Sequence, residues 1–182
     1  MKTFLITIGI IVLLIIGAWV GFLQTTKSHS PEANVIYKAN DMAIHVYYNR
    51  PFKKGREIFG ALVPYGRVWR TGANEASVFE TKKDLLFSGK TLKAGKYSIW
   101  SIPNEQTWTL IFNSEYGQWG INFNGEANRD PNNDVLSVEA PVLIQDKEFD
   151  QFTISVENNG EELELILIWD KTLVSIPFTS SQ

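Results

Sequence analysis

The chain begins with an apolar stretch, Phe4 to Leu23, that contains twenty residues and no charge. As an α-helix it would be about 30 Å long, which matches the hydrocarbon thickness of a bilayer. We therefore predict a transmembrane signal anchor. A cleavable signal peptide is the alternative, but its apolar core would be shorter and small residues would follow it. Here bulky Trp19 and Phe22 lie near the end of the stretch.

Charges on either side of this stretch predict its orientation. The amino terminus and Lys2 precede it, and Lys27 follows it alone. By the positive-inside rule, residues 1–3 form a cytoplasmic tail at the inner membrane, and the rest of the chain lies outside the cytoplasm, in the periplasm. Residues 24–33 are polar and are predicted to form a spacer off the membrane.

From residue 34 to residue 182, the polarity pattern is that of a single all-β domain. Short runs with apolar and polar residues in alternation are separated by turn residues, of which Asn159-Gly160 is the strongest hairpin signal. The pattern predicts an antiparallel β-sandwich, jelly-roll-like or immunoglobulin-like, with a small barrel as the third possibility. The predicted strands are Ala43–Tyr48, Ser77–Lys82, Lys96–Ile102, Trp108–Asn113, Phe149–Glu157 and Leu163–Trp169.

Composition narrows the classes of function. Residues 24–182 carry 16 basic and 20 acidic residues without a run of Lys and Arg, so nucleic acid is not an expected partner. Cysteine is absent, which excludes disulfides and thiol catalysis. His29 and His45 lack the spacing of a zinc site. Residues 128–134 imitate a calcium loop without its leading Asp and central Gly, so a surface turn is the better interpretation. We expect no metal and no cofactor.

The segment from Arg50 to Glu75 interrupts the strand pattern with a long connection. Connections of this length are usually functional or disordered, and the apolar content of this one favours packing against the domain. Its arginines, amide, carboxylate and aromatic rings would suit a sugar or an anionic group. Trp119, in a glycine-flanked loop, is a further candidate. The candidate binding residues are Arg50, Arg56, Tyr65, Trp69, Arg70, Asn74, Glu75 and Trp119.

The same residues also have a structural interpretation. Arg70 and Glu75 could pair with each other and hold the long connection in place, because its backbone groups need partners. Trp100, Trp108 and Trp169 lie within strand-like runs, and packing in the core explains each of them.

Several motifs coincide with a known pattern. They are Arg50-Pro51, Gly55-Arg56, Ile58-Phe59-Gly60, Leu62–Gly66, Val68–Glu75, Leu92–Tyr97, Ile102-Pro103, Trp108–Asn113, Trp119-Gly120 and Trp169–Thr172. In these residues the chain resembles the bacterial family called domain of unknown function 2911, over about residues 35–178. The resemblance implies an exported, largely β domain, and it implies no activity and no catalytic residues. Proteins of that family mostly look secreted, with a cleavable leader, and the anchor-like stretch departs from them.

Two functions follow as hypotheses. The first is a membrane-anchored binding or interaction module of the cell envelope, whose Arg50–Glu75 segment contacts a glycan, a peptide or a protein partner. The alternative is a hydrolase acting on envelope polymers, with Glu75 as acid or base and Arg56 or Arg70 as its electrostatic partner. The sequence contains neither a G-x-S-x-G elbow nor a glycine-rich phosphate loop, and we therefore favour the binding module.

Overall fold

The computed structural model describes residues 2–39 and 42–181. In this part of the chain one long helix precedes nine strands. The elements are α1 (Lys2–His29), β1 (Glu32–Ala39), β2 (Met42–Asn49), β3 (Ser77–Thr81), β4 (Leu85–Phe87), β5 (Lys90–Leu92), β6 (Gly95–Ile102), β7 (Thr107–Asn113), β8 (Asp134–Asn158) and β9 (Leu163–Ser180). A single 3-10 turn, Pro131–Asn133, precedes β8.

Helix α1 extends the predicted apolar stretch to His29. Most of the 24–33 segment, predicted as a spacer, is therefore helical. Its polar side chains bond back to the helix, as when Thr25 Oγ1 donates to the carbonyl of Gly21 at 2.9 Å. Residues Thr3–His29 are long and apolar enough to cross a membrane, a property that a signal sequence shares. The predicted N-terminal apolar helix is confirmed.

The strands form one open antiparallel sheet in the order β1-β2-β3-β6-β7-β8-β9-β4-β5. Most neighbours in the sheet are consecutive in the chain. The exception is the hairpin of β4 and β5, which leaves β3 and joins the opposite edge beside β9. The predicted all-β fold class is confirmed, and the sheet supplies the strand order that the sequence pattern leaves open.

The two longest strands belong to both halves of the sheet. β8 pairs with β7 as far as Pro141 and with β9 from Val142 onward. β9 pairs with β8 as far as Val174 and with β4 from Phe178. Pro141 and Pro177 lie where the partner changes, which suits a residue that has no N–H to donate. The halves therefore face each other as the layers of a sandwich do, while remaining one hydrogen-bonded sheet.

Among the described residues, the larger of two buried hydrophobic clusters fills the space between the two halves. Phe79 on β3 and Phe87 on β4 are far apart in the strand order, yet their ring centroids are 6.5 Å apart. The ring of Phe112 lies 5.3 Å from Phe79 and 5.1 Å from Phe87, which joins the two layers. As predicted, three strand tryptophans are buried: Trp108 and Trp169 in this core, and Trp100 in a separate small cluster with Ala76 and Ile111.

The second half of β8 pairs with β9 on one side, and Tyr48 together with the start of the Arg50–Glu75 segment satisfies its other edge. The hydroxyl of Tyr48 accepts from the N–H of Ile154 at 2.9 Å and donates to its carbonyl at 3.3 Å. Two residues earlier in β8, the N–H of Phe152 donates to the carbonyl of Pro51 at 3.0 Å. The start of the Arg50–Glu75 segment is therefore attached to β8.

This arrangement predicts a specific cost for Tyr48→Phe. The substitution removes both partners of the buried Ile154 backbone, and we expect the free energy of unfolding to fall by about 1–3 kcal/mol. Denaturant titration of the full chain in detergent micelles would measure it. Tyr37→Phe is the matched control, because the hydroxyl of Tyr37 only accepts a 3.4 Å bond from the exposed Asn158 amide. Its change should stay within about 0.5 kcal/mol, and equal losses in the two variants would contradict the prediction.

Candidate functional site

The Arg50–Glu75 segment connects β2 to β3 and crosses one end of the core. Near its start, Phe52 forms a bridge with Gln151 of β8. Farther along, Trp69 exchanges both backbone hydrogen bonds with Ser101 of β6, at 2.7 and 2.9 Å. The segment is therefore fastened to both halves of the sheet, and its buried apolar residues confirm the predicted packing against the domain.

Most of the Trp69 side chain packs against the aromatic residues of the core. Its ring stacks on Trp169, with centroids 6.1 Å apart and an interplanar angle of 18°. The ring of Phe152 lies 5.0 Å away, and the indole N–H donates to the carbonyl of Gly72 at 3.0 Å. Only part of the indole remains accessible, so Trp69 offers a ligand its margin rather than a free face.

Two predicted binding arginines bond to the backbone. The Nε of Arg50 donates to the carbonyl of Phe152 at 3.1 Å, and its Nη2 donates to Thr153 Oγ1 at 2.7 Å. Arg50 is therefore committed to the edge of β8. Arg56 is exposed and donates to two carbonyls of the turn before it, at 3.0 and 2.5 Å. Its position at the surface leaves part of the guanidinium open to solvent.

Arg70 is partly buried, and backbone carbonyl groups hold its guanidinium. Its Nη1 donates to the carbonyls of Asn74, at 2.8 Å, and Trp119, at 3.4 Å. Gly120 has a φ of +95°, and a Cβ there would lie 2.5 Å from Arg70 Cδ, so only glycine fits against this side chain. Burial lowers the pKa of Arg70, and the nearby charge of Glu75 opposes that shift.

The expected pairing of Arg70 with Glu75 is wrong. Glu75 accepts from Asn49 Nδ2 at 2.9 Å and pairs with Lys27 Nζ of α1 at 3.4 Å. Asn74, at a φ of 57°, donates to Asn49 Oδ1 at 3.3 Å. The physical reason is that carbonyl groups hold Arg70, whereas Glu75 faces the last turn of α1, whose place the sequence pattern does not reveal.

A small polar network attaches the last turn of α1 to the domain. Lys27 Nζ pairs with Glu32 and with Glu75. The hydroxyl of Tyr47 donates to Glu32 Oε1 at 2.7 Å. The hydrogen bonds that Glu32 accepts from Lys27 and Tyr47, chiefly the one from Lys27, hold the pKa of Glu32 below its usual value. Burial, followed by the bond to Glu32, raises the pKa of Tyr47 to about 12.

Trp119 and Tyr65 lie outside the cavity described next. Trp119 is half-buried, and its ring centroid is 5.9 Å from that of Phe22 in α1. Tyr65 is exposed over Gly60, whose added Cβ would lie 3.0 Å from the Tyr65 ring. Burial, followed by the charges of Glu105 and Glu57, raises the pKa of Tyr65.

An open cleft of about 1160 Å³ lies between the end of α1, the Arg50–Glu75 segment and the loop that follows Trp119. Of the chain's five arginines, all but Arg50 line this arginine cleft. Its charged lining residues are Lys54, Arg56, Arg67, Arg70 and Arg129, with Glu126 as the one carboxylate among the described residues. Three predicted residues, Arg56, Trp69 and Arg70, therefore meet in the cleft. The other five do not line it: Arg50, Tyr65, Asn74, Glu75 and Trp119.

Lys54 and Arg67 line the cleft without having been predicted as binding residues, and a third unpredicted residue, Arg129, comes from another part of the chain. Arg129 lies in the 128–134 run, where the side chain of Asp130 accepts from the N–H of Asn132 and forms the predicted surface turn. Arg129 Nη1 pairs with Asp134, while its buried Nε has no hydrogen-bond partner among the described residues. Its basic charge within an otherwise polar, oxygen-rich run was the available signal.

The arrangement does not favour the hydrolase. Glu75, its proposed acid or base, is held by Lys27 and Asn49 and does not line the cleft that contains Arg56 and Arg70. In the described ranges, no group of three or more His, Cys, Asp or Glu side chains is placed to hold a metal ion.

One family model matches the β domain and not the helix that precedes it. The family model described as a protein of unknown function (DUF2911) matches residues 30–178. The chain belongs to this family. The match begins where α1 ends, so the β domain is the DUF2911 domain, and α1 precedes it. No match was found among curated proteins or among solved structures.

The network at the end of α1 predicts a dependence of stability on pH. Because the folded-state pKa of Glu32 is depressed, its contribution is fully present above the unfolded-state pKa and is lost as the pH falls through the folded-state value. We expect the midpoint of thermal unfolding to be higher for wild type than for Glu32→Gln at about pH 6, and the difference to shrink progressively as the pH falls below about 4.

The control is Glu161→Gln in the exposed turn between β8 and β9. Glu161 has no ion pair in the described part of the chain, so its midpoint should follow that of wild type across the same range. A constant difference between wild type and Glu32→Gln at every pH would contradict the electrostatic origin of the effect.

Proposed function

We propose that this DUF2911 protein is a single-pass membrane protein of the bacterial envelope, with its β domain on the outer side of the cytoplasmic membrane. The domain acts as a binding module. Its ligand carries carboxylate or phosphate groups, as an acidic glycan, an acidic peptide or a partner protein does, and binds in the arginine cleft.

The charge of the cleft is the observation that carries this proposal. The whole chain has a formal net charge of −3, yet five basic side chains and one carboxylate line the cleft. This concentration of positive charge favours anions over neutral ligands. Guanidinium groups present planar forks of donors that match carboxylates and phosphates.

The remaining lining fits a ligand larger than a simple ion. Val68, Ile121 and the margin of Trp69 add apolar surface beside the charged groups. Pockets that combine apolar walls with a few placed polar groups are typical of sites for organic ligands. An acidic glycan or peptide would use both kinds of surface, whereas an inorganic anion would use only the arginines.

The contacts of α1 support a retained anchor. Lys27 joins Glu32 and Glu75, and Phe22 packs against Trp119. Removal of the helix as a leader would leave these partners of the domain without their contacts. The positive charge before the apolar stretch supports an outward-facing domain.

Titration of an acidic ligand would test the binding role. We would measure the binding of penta-glutamate and of oligogalacturonate to the full chain in detergent micelles, each against a neutral analogue. Arg67 is exposed and lines the cleft. We expect Arg67→Ala to weaken the acidic ligand about tenfold, which corresponds to the loss of one charge-assisted hydrogen bond.

Lys171→Ala is the matched control, because Lys171 is an exposed basic residue of β9 that does not line the cleft. Its affinity should equal that of wild type. Binding that is insensitive to Arg67, or equal for acidic and neutral ligands, would contradict the proposed site.

Topology can be tested in cells independently of the ligand. A retained anchor predicts a membrane-bound protein of the full 20.6 kDa. A tag at the carboxyl end should be resistant to protease in intact cells and digested in spheroplasts, because the domain lies outside the cytoplasm. A smaller, released protein would contradict retention, and a protected tag in spheroplasts would contradict the orientation.

A further inference from the structure

A short hairpin near the end of α1 presents a fully exposed phenylalanine. We call residues 119–127 the Phe123 hairpin. Ile121 and Ala127 form its bridge, and the N–H of Asn122 donates to the carbonyl of Glu126 at 2.8 Å. Phe123 lies in the turn between them, and its side chain is wholly accessible.

The turn is ordered rather than loose. Asn122 Oδ1 accepts from the N–H groups of Asn124, at 2.9 Å, and Glu126, at 3.0 Å. The N–H of Gly125 donates to the carbonyl of Asn122 at 3.0 Å, and Gly125 supplies the positive φ of 79° that the turn requires. Phe123 is therefore held outward, where the described part of the chain does not cover it.

The base of the hairpin lies beside the apolar helix. The ring of Trp119 is 5.9 Å from that of Phe22, which is in turn 6.0 Å from that of Trp19. Phe22 lies one residue before the end of the uncharged Phe4–Leu23 stretch. In a spanning helix it would therefore be at the boundary of the hydrocarbon, and Trp119 shares its level.

We propose that the Phe123 hairpin is a second membrane contact, in which Trp119 and Phe123 enter the interfacial region of the bilayer beside the anchor. The inference rests on the retained anchor of the proposed function. Aromatic side chains are enriched at this depth. Phe123 is at most four residues of extended chain from Trp119, or about 14 Å, which is within reach of the same interface.

Neighbouring groups have the chemistry of an interfacial surface. Tyr116, three residues before Trp119, is half exposed, and Lys96 Nζ lies 5.0 Å above its ring. A lysine beside an exposed tyrosine suits the level of the lipid head groups, where the ammonium meets phosphate and the ring meets the acyl boundary.

The contact would set the orientation of the domain. One helix alone leaves a domain free to turn about its attachment, whereas a second contact restricts that rotation. Ile121, Gly125 and Ala127 of the hairpin also line the arginine cleft. The cleft would therefore open close to the membrane surface, and its ligand would be a molecule that is present there.

Fluorescent probes in vesicles would test the contact. The chain has no cysteine, so a single introduced cysteine carries the probe at one site. We would label Asn124→Cys at the hairpin tip, Val12→Cys within α1 and Glu161→Cys in the turn between β8 and β9. Each full-length variant would be placed in phosphatidylethanolamine and phosphatidylglycerol vesicles that contain a lipid with a nitroxide at its head group or acyl chain.

Glu161 serves as the control because its turn lies near the far end of β1 from α1. This strand begins at Glu32 beside α1, and Tyr37, about 17 Å farther along, accepts a bond from Asn158 before that turn. We expect acyl-chain quenching of the Val12 probe, head-group quenching with a blue shift for the Asn124 probe, and no quenching of the Glu161 probe.

Phe123 itself is tested in the Asn124→Cys background. Phe123→Asp should reduce head-group quenching at least twofold, and Phe123→Leu should retain it. An Asn124 probe that behaves like the Glu161 probe, while the Val12 probe is quenched, would overturn the hairpin contact and leave the anchor standing. A blue shift without lipid quenching would indicate burial against a second copy and would also overturn it. A Val12 probe without quenching would overturn the anchor, and the contact with it.

Discussion

The backbone groups of β8 that do not pair with β9 fix the position of the Arg50–Glu75 segment. The outward polar groups of Phe152 and Ile154 find their partners in Tyr48 and in the first residues of the Arg50–Glu75 segment. Buried backbone donors and acceptors need such partners, so the start of the segment cannot move freely. Trp69 then attaches the segment to β6. The arginine cleft lies on the outer side of a connection that is held at both ends.

The five arginines divide according to their surroundings. Arg50 is committed to the edge of β8, and Arg70 is bonded to carbonyl groups that lower its desolvation cost without cancelling its charge. Arg56 and Arg67 are exposed, and Arg129 retains a buried Nε without a partner in the described part of the chain. Positive charge is therefore held at the cleft by the fold, and this is the physical basis for expecting an anionic ligand there.

Contacts of α1 near its last turn position the β domain, and with it the arginine cleft, relative to the apolar helix. Lys27 pairs with both Glu32 and Glu75, two carboxylates that approach each other because β1 and the end of the Arg50–Glu75 segment meet at the helix. Phe22, five residues before Lys27 in α1, packs against Trp119. A polar contact and an aromatic contact thus hold the domain against the helix at two heights, which gives the cleft a defined position relative to the apolar stretch.

The amino-acid sequence by itself determined the local elements, whose conformation depends on residues that are close together in the chain. The apolar helix, the strands around Ala43–Tyr48 and the Asn159-Gly160 turn follow from periodicity and local backbone preference, and the structure has all three. The pattern missed β1, because exposed Ile36 interrupts the alternation of apolar Ala33, Val35 and Tyr37 with polar residues, and it missed β4 and β5, which have three residues each.

Only the tertiary structure decided the partners. It moved the hairpin of β4 and β5 to the far edge of the sheet, gave Glu75 to Lys27 rather than to Arg70, and brought Arg129 to the cleft from a different part of the chain. Local spacing indicates which residues can bond to carboxylates or stack on rings. It does not indicate which groups meet, because that depends on where two long strands change partners and close the sheet over its core.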